Sequence, residues 1–203
     1  MILYTYGDSH AAHYGGWNKI NIDGLDVKIN HIAGKLMYSF GRDMMDVLTG
    51  LHIGDMVCFC FGEIDCRVHI NKYEPDWKEN VDNIVEKYFL NIEKNVNKFT
   101  ELNVLVFNVV PPLERELSRN HWIEAGNGLP SLGTDEDRKK YTLYMNQKLK
   151  EYCEKYRYTF FDVYNKYCDE KGFLNVELSD NNCHINNPIH MREFLLNYIK
   201  QLS

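Results

Sequence analysis

Short, almost wholly apolar runs recur along the chain, and longer amphipathic segments separate them. Five of these runs are predicted to be β-strands, at residues 2–6, 25–29, 55–61, 104–110 and 158–163. Strands this apolar are typical of a parallel sheet whose two faces are both covered by other elements. The pattern therefore predicts a buried parallel sheet.

The segments between the runs repeat their apolar residues at three- and four-residue steps, which predicts helices. Three such segments span residues 36–51, 77–99 and 135–156, and a last helix is predicted to begin at Asn187-Pro188, a cap residue followed by a first-turn proline. The alternation of strand and helix predicts one α/β domain over residues 1–203. Its expected architecture is a three-layer α/β/α sandwich around a central, mostly parallel five-stranded sheet. Residues 111–134 lack a period and are predicted to be a long loop, of the kind that forms lids or binding walls.

Composition narrows the class of protein. The net charge of −6 comes with no clustered basic surface, which argues against a nucleic-acid partner. No apolar stretch approaches the roughly 18 residues of a membrane span, so no membrane partner is expected. The first residues enter a predicted core strand without a basic leader, so a cytoplasmic location with reduced cysteines is expected. The six cysteines form no CxxC pair, so neither a metal nor another cofactor is predicted.

Residues able to carry chemistry collect where the predicted strands end. Ser9 follows the first strand, Glu63 and Arg67 follow the third, and Asp180 and His184 precede the last helix. In open α/β sheets the ligand site lies beyond the carboxyl ends of the strands, so these side chains are expected on one rim. A serine, a histidine and a carboxylate together are the inventory of acyl transfer.

Four segments, taken in order, resemble the conserved blocks of the SGNH/GDSL hydrolases. Gly7-Asp8-Ser9-His10 is similar to the first block, and Gly34 stands where the second-block glycine is expected. The run FGEIDCR, residues 61–67, is similar to a variant of the third block, usually Gly-x-Asn-Asp. Asp180 to His184 resembles the fifth block. The resemblance spans nearly the whole chain and implies the flavodoxin-like fold of that family.

The resemblance also implies a role for each matching residue. Ser9 would attack a carbonyl, His184 would accept its proton, and Asp180 would orient the imidazole. The main-chain amides of Ser9, Gly34 and Gly62 would form the oxyanion hole. The implied reaction is hydrolysis or transfer of an acyl group, with acetyl favoured, from a small or carbohydrate-linked ester. The sequence leaves open the acyl acceptor and the oligomeric state.

Two departures from the family pattern support an alternative. Ile64 stands where the third block has an asparagine, and isoleucine cannot donate a hydrogen bond to an oxyanion. Asn181 stands where the family has the aspartate, so Asp180 is four residues before His184 instead of three. The alternative is a catalytically degenerate module of the same fold that recognises a sugar or a protein partner.

Several neighbouring residues have both a functional and a structural interpretation. The candidate substrate-binding residues are Asp8, His10, Glu63, Arg67 and Pro111. For Asp8 we favour a structural role as a helix cap, and for Asp65 with Arg67 a buried ion pair that holds the loop. His10 is equally compatible with lining the pocket and with covering the rim of the sheet.

Overall fold

The computed structural model describes residues 1–117 and 131–202, so part of the predicted loop, residues 118–130, lies outside the described residues. Five strands form one sheet: β1 (Ile2–Gly7), β2 (Asp26–His31), β3 (Met56–Cys60), β4 (Asn103–Phe107) and β5 (Thr159–Phe161). Their order across the sheet is β2-β1-β3-β4-β5, and every pairing is parallel. The predicted sheet is confirmed, and all of its pairings are parallel.

Both faces of the sheet are covered, as the apolar runs predicted. Every residue of the central strand β3 is buried. One face packs against α1 (Met37–Arg42), α2 (Trp77–Val96) and α3 (Asp135–Tyr156), and the other packs against α4 (Ile189–Leu202) and short 3₁₀ turns. The α/β/α sandwich is therefore confirmed. None of the helices described here is long and apolar enough to cross a membrane.

The predicted helix at residues 36–51 is wrong beyond Arg42. From Asp43 to Leu51 the chain has no regular helix, and Met44 has a φ of 47°. Two buried asparagines of α2 bind the backbone of this segment. Asn91 donates to the Phe40 and Met45 carbonyls, and Asn95 donates to the Met45 carbonyl and accepts from two amides, at Val47 and Leu48. These side-chain bonds replace the helical ladder, which an apolar periodicity alone does not reveal.

The boundaries of other elements agree with the prediction or differ from it by a few residues. Helix α3 has the predicted bounds, because a reciprocal capping box between Thr134 and Asp137 fixes its start. Strand β4 ends at Phe107, three residues before the predicted end, because the next residue turns its side chain into the backbone. The side-chain oxygen of Asn108 accepts a hydrogen bond from the main-chain N–H of Val163, and its side-chain NH2 donates to the Val109 carbonyl. The chain thereby leaves the sheet.

The carboxyl ends of β1 and β3 approach each other closely. A Cβ on Gly7 would lie 1.9 Å from the Cys60 carbonyl oxygen, so only glycine fits at this position. The chain then turns sharply over the edge of the sheet, where Asp8 and Ser9 follow. This edge is where the candidate residues of the sequence converge.

Candidate active site

Ser9 lies half-buried at the start of a short 3₁₀ turn, Ser9–Ala11, directly beyond β1. Asp8 is fully buried and caps this turn, since its Oδ1 accepts the His10 amide at 2.8 Å. The structural role favoured for Asp8 is what the structure shows. Because the Asp8 side chain has no exposed surface, it is not available for the substrate contact also considered for it.

Asp180 and His184 sit on a compact loop before α4, which we call the base loop (residues 179–185). The loop is closed by a bridge between Ser179 and Ile185. Asp180 Oδ1 accepts the amides of Asn182 and His184 at 2.9 and 3.1 Å, and its Oδ2 lies 2.7 Å from His184 Nδ1. An ionised carboxylate only accepts hydrogen bonds, so Nδ1 carries the proton and Nε2 is left to face Ser9 Oγ.

Asn181 explains how a spacing of four residues works in place of three. Its φ is +62°, in the left-handed region that asparagine tolerates better than most residues. The main-chain N–H of Asn181 donates a hydrogen bond to Ser179 Oγ at 3.0 Å. The extra residue is absorbed in this left-handed turn, so Asp180 reaches His184 despite its displacement in the sequence.

The structure brings Ser9, His184 and Asp180 into one hydrogen-bonded line. His184 Nε2 is 2.8 Å from Ser9 Oγ, although 175 positions separate the two residues along the chain. Burial by itself would lower the pKa of His184, but the Asp180 carboxylate and the Cys183 thiol together raise it to about 9. The arrangement can remove a proton from the serine hydroxyl and hold it on a charge-stabilised imidazole.

Cys183 is a component that sequence reasoning missed. Its Sγ lies 3.6 Å from His184 Nε2, the same nitrogen that faces Ser9. Burial and the Glu63 carboxylate act to raise the pKa of this thiol, but the neighbouring imidazoles of His10 and His184 outweigh them and lower it. Its position next to His184 in the sequence was the available signal.

His10 is buried behind the site, with both ring nitrogens engaged by the protein. Nδ1 is 3.0 Å from Asp8 Oδ1, and Nε2 is 2.9 Å from the Cys183 carbonyl oxygen. The ring is only 5% exposed, so it lines the protein side of the site more than the open side. Of the two roles considered for His10, the rim position fits this placement better than a pocket wall.

The expected pairing of Asp65 with Arg67 is corrected by the structure. Arg67 is paired with Glu63, at 2.7 Å from Nε to Oε1 and 3.0 Å from Nη2 to Oε2. Asp65 is fully buried and accepts two main-chain amides at the start of α1, from Met37 and Tyr38. Burial raises the pKa of Asp65 to about 7, although these amides act against the change. Asp65 therefore anchors α1, and Glu63 neutralises Arg67 beside the site.

The candidate oxyanion-hole residues differ in their surroundings. Gly34 is exposed, with a φ of +64°, on the connection between β2 and α1. Gly62 has a φ of +115°, and a Cβ there would lie 2.6 to 3.0 Å from three side chains, so this position requires glycine. Ile64 is buried and offers no side-chain donor, and Pro111 is also buried.

An exposed aromatic ring flanks the imidazole on its open side. Tyr14 is 61% exposed, and its ring centroid is 5.6 Å from that of His184. Sequence reasoning did not identify it, because nothing in the sequence places residue 14 beside residue 184. A planar apolar surface here can contact the part of a substrate that extends from the reacting bond.

Within residues 1–117 and 131–202, one group of side chains has the composition of a metal site. Ligand atoms of His10, Cys183 and His184 lie within 4.8 Å of one another. Both ring nitrogens of His10 already face protein acceptors, so a metal would have to displace one of those bonds. The donor set therefore suits hydrogen bonding better than metal binding.

Solved structures with a similar fold were found by comparison. A protein from Streptococcus pneumoniae described as a platelet activating factor is 18% identical, with a TM-score of 0.65 over 99% of this chain and 82% of that one. A Bacteroides fragilis protein described as an acylhydrolase is 16% identical, with a TM-score of 0.64 over 99% and 86%. A carbohydrate acetylesterase from Sinorhizobium meliloti is 12% identical, with a TM-score of 0.60 over 100% and 99%.

Further similar structures are described as a GDSL-like lipase, a member of the lipolytic G-D-S-L family and an aryl esterase. No family model and no curated protein matches the sequence. At identities this low, the structural similarity establishes the fold alone. That fold is the one of the SGNH/GDSL hydrolases. The resemblance first seen in Gly7-Asp8-Ser9-His10 is thus confirmed at the level of architecture.

Proposed function

We propose that this protein is a serine-dependent ester hydrolase or acyl transferase that uses Ser9, His184 and Asp180. The observation that carries the proposal is the hydrogen-bonded line from Ser9 Oγ through the imidazole of His184 to Asp180, with distances of 2.8 and 2.7 Å. A serine hydroxyl is a weak nucleophile until a neighbouring base can take its proton. The fold shared with esterases and an acylhydrolase supports the same reaction class.

The proposed reaction has two acyl-transfer steps. Ser9 Oγ attacks the carbonyl carbon of the ester while its proton passes to His184 Nε2, and Asp180 stabilises the resulting imidazolium. The tetrahedral oxyanion is bound by main-chain amides, for which Ser9, Gly34 and Gly62 are the candidates. Collapse of the tetrahedral intermediate breaks the ester bond, and the leaving alkoxide takes the proton from His184. Water or an acceptor hydroxyl then attacks the acyl-serine with the same base.

We assign a small or carbohydrate-linked acyl ester, with acetyl favoured, as the substrate. The exposed Tyr14 ring beside His184 offers a flat surface for a sugar or aryl group attached to the ester oxygen. The similar structures include a carbohydrate acetylesterase and an aryl esterase, which supports this substrate class.

The alternative is a binding module that has kept the fold and lost the reaction, and Ile64 is the observation that favours it. Ile64 is buried and has no donor where the family pattern has an asparagine. Under this alternative the protein would bind an acylated sugar or a protein partner without turning it over.

Turnover of short p-nitrophenyl esters by wild type, Ser9→Ala and His184→Ala distinguishes the two proposals. The hydrolase proposal predicts nitrophenol release that both substitutions reduce by at least about a hundredfold. His190→Ala is the matched control, since His190 lies on α4 outside the line and should leave turnover unchanged. Absence of turnover in folded wild-type protein across acetyl to hexanoyl esters would favour the binding module.

A further inference from the structure

His10 links the turn that carries the nucleophile to the loop that carries the base. It directly follows Ser9, and its Nε2 bonds the carbonyl of Cys183, which directly precedes His184. On its other side its own carbonyl accepts the indole N–H of the fully buried Trp17 at 2.7 Å. The side chain thus bridges two segments that are 173 positions apart in the chain. The 2.8 Å approach of Ser9 Oγ to His184 Nε2 depends on how these segments are held together.

The partners of His10 indicate that it is an imidazolium ion. The Cys183 carbonyl oxygen can only accept a hydrogen bond, and Asp8 Oδ1, which also accepts the His10 main-chain amide, is an acceptor too. Each ring nitrogen therefore has to supply a proton, one at 3.0 Å to Asp8 Oδ1 and one at 2.9 Å to the carbonyl. Burial alone would lower the pKa of His10, but the fully buried Asp8 carboxylate holds it well above the usual range. These contacts favour a positively charged His10 behind Ser9 and His184.

This charge lies beside the proposed general base. The ring centroids of His10 and His184 are 4.8 Å apart. A second positive charge on His184 is disfavoured at this distance, which acts against the raising effect of Asp180 on the pKa of His184. The groups that face His10 or interact with its charge come from its own turn, the base loop and the turn after β3: Asp8, Cys183, His184 and Glu63. Arg67, which is paired with Glu63, interacts with Asp8 and Cys183.

We propose that His10 is a positioning residue of the acyl-transfer site. As an imidazolium that bridges Asp8 and the Cys183 carbonyl, it holds the base loop against the nucleophile turn, and its charge favours the neutral, proton-accepting form of His184. The inference rests on the proposed function, because a neutral imidazole is useful here only if His184 acts as a base. It assigns a function to a buried histidine whose two ring nitrogens both face protein acceptors.

The test compares His10→Gln with wild type in the pH dependence of kcat/KM, using a short alkyl ester and acid release measured in a pH-stat. Glutamine is neutral and keeps an N–H donor of similar reach. Unit charges about 5 Å apart at an effective dielectric constant of about 20 change each other's pKa by about two units. We expect the acid limb to move up by about two pH units and kcat to fall about tenfold. His13→Gln, an exposed histidine three residues further on, is the matched control and should change neither.

Asp8→Asn is a second variant in case glutamine at position 10 prevents folding. It removes the carboxylate that keeps His10 charged, and with it a negative charge that itself favours protonated His184. The acid limb should therefore also move upward, but by less than in His10→Gln. A merely structural role for His10 would lower kcat and leave the position of the acid limb unchanged, and this result in either folded variant would overturn the inference.

An NMR titration of the His184 imidazole separates this inference from the proposed function, because it does not require turnover. If wild type lacks turnover but the His184 titration still moves upward in His10→Gln, the hydrolase proposal fails and the charge coupling between the two histidines stands. If wild type turns over and neither the titration nor the acid limb moves, the His10 inference is overturned and the hydrolase proposal stands.

Discussion

Substitution of Asp180 by asparagine changes one charge in the proposed triad and has two separable consequences. The side chain keeps its shape, but the Oδ2 atom that lies 2.7 Å from His184 Nδ1 loses its negative charge. An amide stabilises imidazolium poorly and permits the wrong tautomer of the ring. The maximal rate should therefore fall, and the pH at which His184 loses its proton should fall as well.

The size of both effects follows from the environment of His184. Raising its pKa from 6.5 to about 9 corresponds to about 3 kcal/mol in favour of the imidazolium in the folded protein. Asparagine removes the largest of the favourable contributions, while the burial that lowers the pKa remains. We expect the acid limb of kcat/KM to move from about pH 9 toward lower pH. The maximal rate should fall by about a thousandfold or more, as in other serine triads that lose their carboxylate.

The assay is the pH–rate profile of a short alkyl ester for wild type and Asp180→Asn, with Glu177→Gln as the control. Glu177 is an exposed carboxylate on the neighbouring turn, and its substitution should leave the profile unchanged. An acid limb that stays in place in Asp180→Asn would refute the reasoning, because it would show that Asp180 does not set the pKa of His184.

The same pKa predicts a pH dependence of stability. A group whose pKa is higher in the folded than in the unfolded state stabilises the fold below its unfolded pKa, and this contribution is lost as the pH rises through the folded pKa. Wild type should therefore lose stability between about pH 6.5 and pH 9 because of His184, and Asp180→Asn should lose less over the same range. Thermal unfolding measured across this range checks the sign.

Three further predictions follow from the same structure. Iodoacetamide at neutral pH should alkylate Cys183 well before Cys168. The neighbouring imidazoles lower the pKa of the Cys183 thiol, whereas burial raises that of Cys168 to about 11. Equal rates in peptide mass mapping would contradict this. Gly62→Ala should lower the free energy of unfolding by about 2 kcal/mol, because φ is positive at this position and the space for a new Cβ is occupied. An unchanged urea midpoint would argue against this. Asn95→Ala should also lower the free energy of unfolding by about 2 kcal/mol, because it leaves main-chain groups of residues 45–48 unpaired. Asn97 is exposed, so Asn97→Ala should change this free energy little, and similar losses in both variants would count against the role assigned to Asn95.

The parts of the fold that the sequence predicts are those where the apolar pattern corresponds to burial. The β3 run is buried at every position of the strand, so its continuous apolar character predicted a covered parallel strand. The helix at residues 36–51 was wrong beyond Arg42 for a reason that the pattern cannot contain. Asn91 and Asn95, some 50 positions away, bind the backbone of that segment. A local period cannot reveal a long-range side-chain bond.

The residues of the candidate site also divide into those that the sequence predicts and those that it does not. Ser9, Asp180 and His184 could be proposed from a block resemblance, and the structure brings the three side chains together. The displaced aspartate was a difficulty for the sequence, because spacing alone does not say that Asn181 adopts a left-handed conformation. The neighbours that tune the base could not be derived, since Cys183 and its contacts depend on how the base loop folds.

Covalent labelling of Ser9 tests the central claim most directly. A fluorophosphonate reacts with a serine hydroxyl only where a base activates it, and the product can be located by intact mass and peptide mapping. We expect one phosphonate per protein chain, attached to Ser9, with labelling abolished in Ser9→Ala and strongly slowed in His184→Ala. Folded protein that stays unlabelled, or that is labelled at another residue, would contradict it.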